Sequence, residues 1–268
     1  MISAKKKIMK TVRPVDINGD LDVMRFQKKM VLSIVLIYSS YVLSATGNLH
    51  LFYCLLIAAF TMPIIILNAH ELLHAIDRPK KAWLICRIIP IPFSFHIDLH
   101  AFKFLHMLHH KYTCGKEDPA MFFVSTSVTK SFFASAIAPE VELIDYLKRE
   151  KPGRFFLLVI FTKLASYVAL ASINWSFFLV YFVLNRMIIG VVGVIFFRMN
   201  HIKGGRTGTF QLHLHPAFLK FLIMIFGKEF MYVISMHNVH HAHPRARGLN
   251  FKSVIERAKG PEHLNLDF

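Results

Sequence analysis

The chain has 268 residues, 54% of them hydrophobic, with a mean hydropathy of +0.46 and 26 Phe. That is more apolar surface than an ordinary soluble domain of this size hides, so the sequence reads as an integral membrane protein. A formal charge of +16 raises nucleic acid as a partner. However, Lys and Arg fall in short segments between apolar runs with no interleaved aromatic RNA-binding motif, the pattern of juxtamembrane cations on a cytosolic face.

The three cysteines, Cys54, Cys86 and Cys114, have no metal-type spacing and cannot build a disulfide framework, which fits a reduced compartment or burial in lipid.

Residues 1–30 are basic and polar, and no apolar stretch with a small-residue cleavage site follows them closely. They are expected to form a cytosolic arm rather than a cleaved signal peptide. A spanning helix needs about 20 apolar residues. Val31 to Thr46, near the lower limit, and Leu49 to Leu67 look like a hairpin of spans around a turn at Gly47 and Asn48, and Lys28 and Lys29 before the first run hold its start in the cytosol.

From Ala75 to Pro139 the apolar pieces are cut by Arg87, Pro90, Pro92, His96, Asp98 and Lys103, then by Lys111, Lys116, Glu117 and Asp118. They read as cytosolic or interfacial helices. Phe155 to Ile173 and Trp175 to Phe197 form a second pair of spans around Asn174. Lys163 and Arg186 fall inside them, either as functional groups or as snorkelling side chains near misplaced span ends. A single crossing at 164–185 would strand the later histidines on the opposite side. Phe218 to Met236, which contains Lys220, Lys228 and Glu229, reads as interfacial. The expected fold is therefore an all-α integral membrane protein: one domain over 31–268, with four transmembrane helices in two hairpins (about 31–46, 49–67, 155–173 and 175–197) and a cytosolic helical cap.

The sixteen histidines are clustered. HELLH gives His70 and His74, HMLHH gives His106, His109 and His110, and HNVHH gives His237, His240 and His241. On a helix, residues three or four apart share a face, whereas an adjacent pair diverges by about 100°. One H-x-x-H-H box can therefore serve two neighbouring metals, and eight imidazoles suit two metals better than one tetrahedral zinc. Imidazole ligands alone leave Zn, Cu, Fe and Ni open.

HELLH also matches the zinc metalloprotease motif, with Glu71 as general base. That reading leaves two H-x-x-H-H boxes idle and finds no Asp in the assigned spans to complete the site. A non-catalytic metal carrier would string its ligands along a path through the membrane, whereas these gather on one side.

The three boxes, their order and their placement around two membrane hairpins resemble the membrane fatty acid desaturase and hydroxylase superfamily, over about residues 68–122 and 200–251. HHKYTCGKEDPAMF and HHAHPRARGLNF are similar to the regions after the second and third boxes, and EDPA and HHAHP are also similar to membrane alkane hydroxylases. The second box has one residue fewer before its paired histidines than the alkane hydroxylases and fits desaturase spacing.

The resemblance implies a histidine-rich di-iron centre (Fe2+/Fe3+) with O2 as co-substrate. Its metal ligands would be His70, His74, His106, His109, His110, His201, His237, His240 and His241. His201 is preferred as the ninth ligand over His213 or His215 because it lies closest to the last span. Glu71 and Asp118 are candidates to hold ligand N–H groups, and Asn200 to hold a water. Plain exposure beside the site is the simpler expectation for Glu71, and a helix cap before Pro119 and Ala120 is the alternative for Asp118. His96 and His100, an i, i+4 pair, are expected on a polar face, His50 as structural, and His243 and His263 as surface residues.

The resemblance implies a desaturase acting on an acyl or alkyl chain, with a fatty acid or alkane hydroxylase (monooxygenase) as the alternative. The two differ in whether the second hydrogen lies within reach of the oxidant. The sequence has no cytochrome b5 haem motif and no cysteine cluster, so electrons are expected from a separate donor of cytochrome b5, ferredoxin or rubredoxin type. The active site is expected on the cytoplasmic face of a bacterial inner membrane or endoplasmic reticulum.

Overall fold

The structure, a computed structural model, describes residues 19–76, 78–124, 127–201, 212, 214–244 and 251. The first part of the expected basic arm, His213 and His263 lie outside the described residues. Every regular element among those described is helical.

Four helices are long and apolar enough to cross a membrane: α1 (Gly19–Ala45), α2 (Leu51–Ala75), α8 (Arg154–Ile173) and α9 (Trp175–Phe196). Their apolar windows are Val23–Ala45, Leu51–Ala75, Arg154–Ile173 and Trp175–Asn200. The first helix begins well before the expected span, and part of the expected arm belongs to it: Phe26 and Met30 are buried against Leu72, Leu73 and Leu99. The spans expose apolar side chains on their outer faces, among them Leu32, Phe60, Phe161, Val168 and Val183, as a lipid-facing surface requires.

Local chemistry fixes the helix ends. Gly47 takes φ +80 in the turn after α1, a conformation that costs other residues a Cβ clash. The side chain of Asn174 accepts the N–H of Phe177 at 3.0 Å and so caps α9, and its amide also donates to the carbonyl of Ala45. This joins the α8–α9 turn to the α1–α2 turn at one end of the bundle. At the other end, the C-terminal ends of α2 and α9 meet the starts of α1 and α8 and the shorter helices.

Those shorter helices are α3 (Leu84–Ile88), α4 (Leu99–Tyr112), α5 (Met121–Val124), α6 (Val128–Ala136), α7 (Ala138–Arg149), α10 (Pro216–Phe226), α11 (Lys228–Ser235) and α12 (His237–Ala242). The apolar stretch 218–236 is two helices rather than one, broken at Gly227, whose φ is +90. None of these reaches a spanning length.

One segment expected at the surface goes inside. Between α3 and α4 the chain runs without helix from Pro90 to Asp98, and Phe93, Ser94, His96 and Ile97 are all buried. Phe93 adopts φ 51 and stacks on Tyr38 with ring centroids 5.0 Å apart, within an aromatic core that includes Tyr41, Tyr167 and Tyr181. Non-helical backbone survives among spans only where protein groups satisfy it. Tyr167 Oη donates to the carbonyl of Ser94 at 2.6 Å, and Lys163 Nζ donates to the carbonyl of His96. Arg186 does similar work, donating to Glu140 and to the carbonyl of Ala136. Both cations therefore point inward to fasten the shorter segments to the spans, and neither snorkels.

Two glycines let α6 come close to α9. A Cβ on Gly193 would lie 2.3 Å from Cβ and Oγ of Ser135, and one on Gly190 would lie 2.9 Å from the Phe132 carbonyl oxygen.

Candidate metal centre

The three histidine boxes sit on α2, α4 and α12, and the structure brings them together. The side chain of Asp98 caps α4 by accepting the N–H of Ala101 at 2.8 Å. Leu99, Ala101, Leu105, His106 and His109 form the buried face of that helix. The last two turns of α2 carry His70 and His74, and the short turn after α9 delivers His201, which is fully buried.

Two groups of ring nitrogens result, each with its donor atoms within 4.8 Å of one another: His70, His74, His106, His110 and His240 in one, His109, His201 and His241 in the other. The adjacent pairs separate as helical spacing requires. His110 and His240 join the first group, while His109 and His241 join the second. His237 lies between the groups, its ring 4.7 Å from that of His201, 4.8 Å from His241 and 5.3 Å from His240.

The hydrogen bonds fix which nitrogen each ring presents. A carbonyl can only accept, so Nδ1–H of His201 donates to Phe197 O at 2.7 Å and Nδ1–H of His237 donates to Val233 O at 3.3 Å. Thr113 spends its hydroxyl proton on the carbonyl of His109 at 2.8 Å and accepts Nδ1–H of His241 at 3.1 Å. The carboxylate of Asp118 accepts Nδ1–H of His109 at 3.0 Å, and that of Glu71 accepts Nδ1–H of His70 at 3.0 Å. Each of these rings is left with a lone pair on Nε2.

In the three-histidine group those lone pairs face one another. Nε2 of His109 lies 3.0 Å from Nε2 of His201, which lies 3.3 Å from Nε2 of His241. With every N–H engaged elsewhere, no hydrogen bond can join these atoms, and their approach is repulsive unless a cation lies among them. Donors around a cation with bonds of about 2.0–2.1 Å stand roughly 2.9–3.3 Å apart, so the spacing fits a metal.

In the five-histidine group, Nε2 of His106 lies 2.8 Å from that of His74 and 3.0 Å from that of His110. His240 is 1% exposed, and neither of its nitrogens has a hydrogen-bond partner among the described residues. A buried imidazole left that way is costly, and metal coordination removes the cost.

Burial, reinforced by neighbouring imidazoles, holds His106, His201, His240 and His241 well below the usual imidazole range. It brings His110 down to about 2 and His237 to about 3. All six are neutral, the form in which imidazole binds a metal.

The other candidates fall as follows. Glu71 is buried on His70, not simply exposed. Asp118 holds Nδ1–H of His109, and its oxygens close the turn before α5 by accepting the N–H groups of Cys114 at 2.7 Å and Ala120 at 2.8 Å, rather than capping that helix, which begins at Met121. Asn200 is fully buried beside His201. His100 and His215 are exposed and away from both groups, and His50 caps α2. His243 is half-buried after α12.

His96 is buried but turned elsewhere: its Nδ1–H donates to Ile97 O at 2.9 Å and its Nε2 lies 2.9 Å from Oε2 of Glu142. Thr113 and Glu142 were not singled out in the sequence. Thr113 had a signal, since a hydroxyl one turn beyond His109 is placed to bond back to that turn, whereas Glu142 had none.

A cavity of about 180 Å³ opens beside the cluster. His70, His106, His109 and His237 form its metal-side wall, and the rest is mainly apolar, with Ile66, Leu67, Leu105, Ile189, Val192 and Phe230 among it. Comparison with family models, with curated proteins and with solved structures finds no match to this chain.

Proposed function

We propose that the chain is a membrane-bound, O2-dependent di-iron oxidoreductase of desaturase type that places a double bond in an acyl or alkyl chain of a lipid. The observation that carries this reading is the convergence of the Nε2 atoms of His109, His201 and His241, whose Nδ1–H groups are engaged elsewhere, beside a second group of five and an apolar cavity opening on both. The order and spacing of the three boxes supply the choice of iron.

His70, His74, His106, His110 and His240 would hold one iron and His109, His201 and His241 the other, with His237 within reach of both. When bound, the pair supplies the oxidising power needed to take hydrogen from an unactivated C–H bond. The remaining work belongs to the protein. Asp118, Glu71, Thr113 and the carbonyls of Phe197 and Val233 fix ring orientation and tautomer. The apolar walls align a chain beside the histidines and keep water from it. Lys28 and Lys29 place the histidine end of the bundle at the cytoplasmic face, where a separate electron donor of cytochrome b5, ferredoxin or rubredoxin type docks.

The protease reading weakens on the same geometry. Glu71 is buried and engaged with His70 Nδ1, and His70 and His74 share their group with three further histidines.

The test is lipid analysis of membranes carrying the full chain, with the His109→Ala variant as blank. New double bonds absent from the blank are expected. New hydroxyl groups would instead establish the hydroxylase alternative, and unchanged lipids from iron-loaded, reductant-supplied protein would contradict the proposal.

A further inference from the structure

The cavity beside the histidines is apolar except at one place. Ser135, at the end of α6, and Glu142, on α7, line it together with His96. Ala138, Pro139 and Glu142 are spaced to share a face of α7, and all three line the cavity, so this polar patch belongs to its wall.

Two of these side chains have unspent hydrogen-bonding capacity. Elsewhere in the long helices, Ser40, Thr61, Thr162, Ser166 and Ser172 donate their hydroxyls to a carbonyl one turn back, the usual way to satisfy such a group. Ser135, 1% exposed, does not, and its Oγ, like those of Ser44 and Ser131, has no hydrogen-bond partner among the described residues.

Glu142 has one oxygen occupied. His96 already donates Nδ1–H to Ile97 O, and its Nε2 stands 2.9 Å from Oε2 of Glu142. The other oxygen of Glu142 has no partner among the described residues. A hydroxyl donor and an acceptor carboxylate thus both line a largely apolar chamber, where an unpaired polar group is expensive.

We infer that the cavity selects a lipid chain bearing a hydroxyl group, which donates to Glu142 and accepts from Ser135, over an unsubstituted chain. The group that fits must be able to donate and accept while remaining uncharged. A carboxylate would meet the charge of Glu142, and a bare methylene would leave both side chains unpaired. The inference rests on the reading of the cavity as a lipid site and narrows its substrate class.

The experiment uses the full-length, metal-loaded protein in detergent. Hexadecanol and hexadecane are compared at equal mole fraction in the micelle, with apparent affinities taken from ligand-dependent thermal stabilisation. Hexadecanol is expected to bind about tenfold or more tightly than hexadecane, as a hydrogen bond to a charged acceptor implies. That ratio should shrink in Ser135→Ala and approach unity in Ser135→Ala/Glu142→Gln. Ser135→Ala removes one oxygen from a packed helix, so it serves as the control if the double variant unfolds.

Equal affinities for the two probes in the unaltered chain, or a ratio untouched by Ser135→Ala, would overturn the inference while leaving the oxidoreductase proposal to its own product assay. Binding of neither probe would overturn both, because the cavity would then not be a lipid site.

Discussion

Nδ1 of His109 lies 3.0 Å from Oδ1 and 3.1 Å from Oδ2 of Asp118, and the same two oxygens accept the backbone N–H groups of Ala120 and Cys114. One buried carboxylate thus both closes the turn after α4 and fixes the ring that α4 presents. Asp118→Asn keeps an acceptor but loses the charge facing Nδ1–H, so metal affinity should fall about 10–100-fold in a chelator competition. Asp118→Ala also leaves backbone donors unpaired and should cost roughly 1–3 kcal/mol of stability for each.

His201 completes the three-histidine group with His109 and His241. His201→Ala should lower bound metal from about two to about one per chain, whereas His215→Ala, at an exposed position, should leave the content unchanged. Metal analysis of the purified variants distinguishes them.

Acid should destabilise the metal-free protein. His110 and His237 are pushed from 6.5 down to about 2 and about 3 by burial. Between those values and 6.5 the unfolded chain binds protons that the folded chain excludes. Their contribution is therefore constant above pH 6.5 and is lost progressively as pH falls below it. Melting of the metal-free protein should be flat from about pH 8 to 7 and drop steadily toward about pH 5.

Gly193 has no room for a side chain, because a Cβ there would sit 2.3 Å from Ser135. Gly193→Ala should cost about 1–3 kcal/mol as α6 is forced away from α9, and Ser135→Gly in the same chain should recover much of it. Thermal melting in detergent of the two single variants and the double variant measures the coupling.

What the sequence made legible was whatever periodicity and spacing encode. Four long apolar runs appear as four helices of spanning length, and H-x-x-H-H on a helix necessarily sends His109 and His110 to different neighbours. What it hid were the contacts made by lone polar residues across the fold. Lys163 and Arg186 look anomalous within apolar runs, and nothing local reveals that a helix-free segment will fold inward to offer Lys163 a carbonyl or that Ala136 and Glu140 will receive Arg186. Pro90 and Pro92 signal a break in helix but do not say that Phe93 will enter the aromatic core. Glu71 reads as exposed beside the site, and nothing local reveals that it will be buried on His70.

The most direct test of the central claim is iron and zinc content per chain in protein purified from cells grown with excess iron. The account expects about two irons, both lost when His106, His109 and His110 are replaced together, since that box feeds both histidine groups. A single zinc that survives this replacement and depends only on His70 and His74 would contradict the dinuclear centre and restore the protease reading.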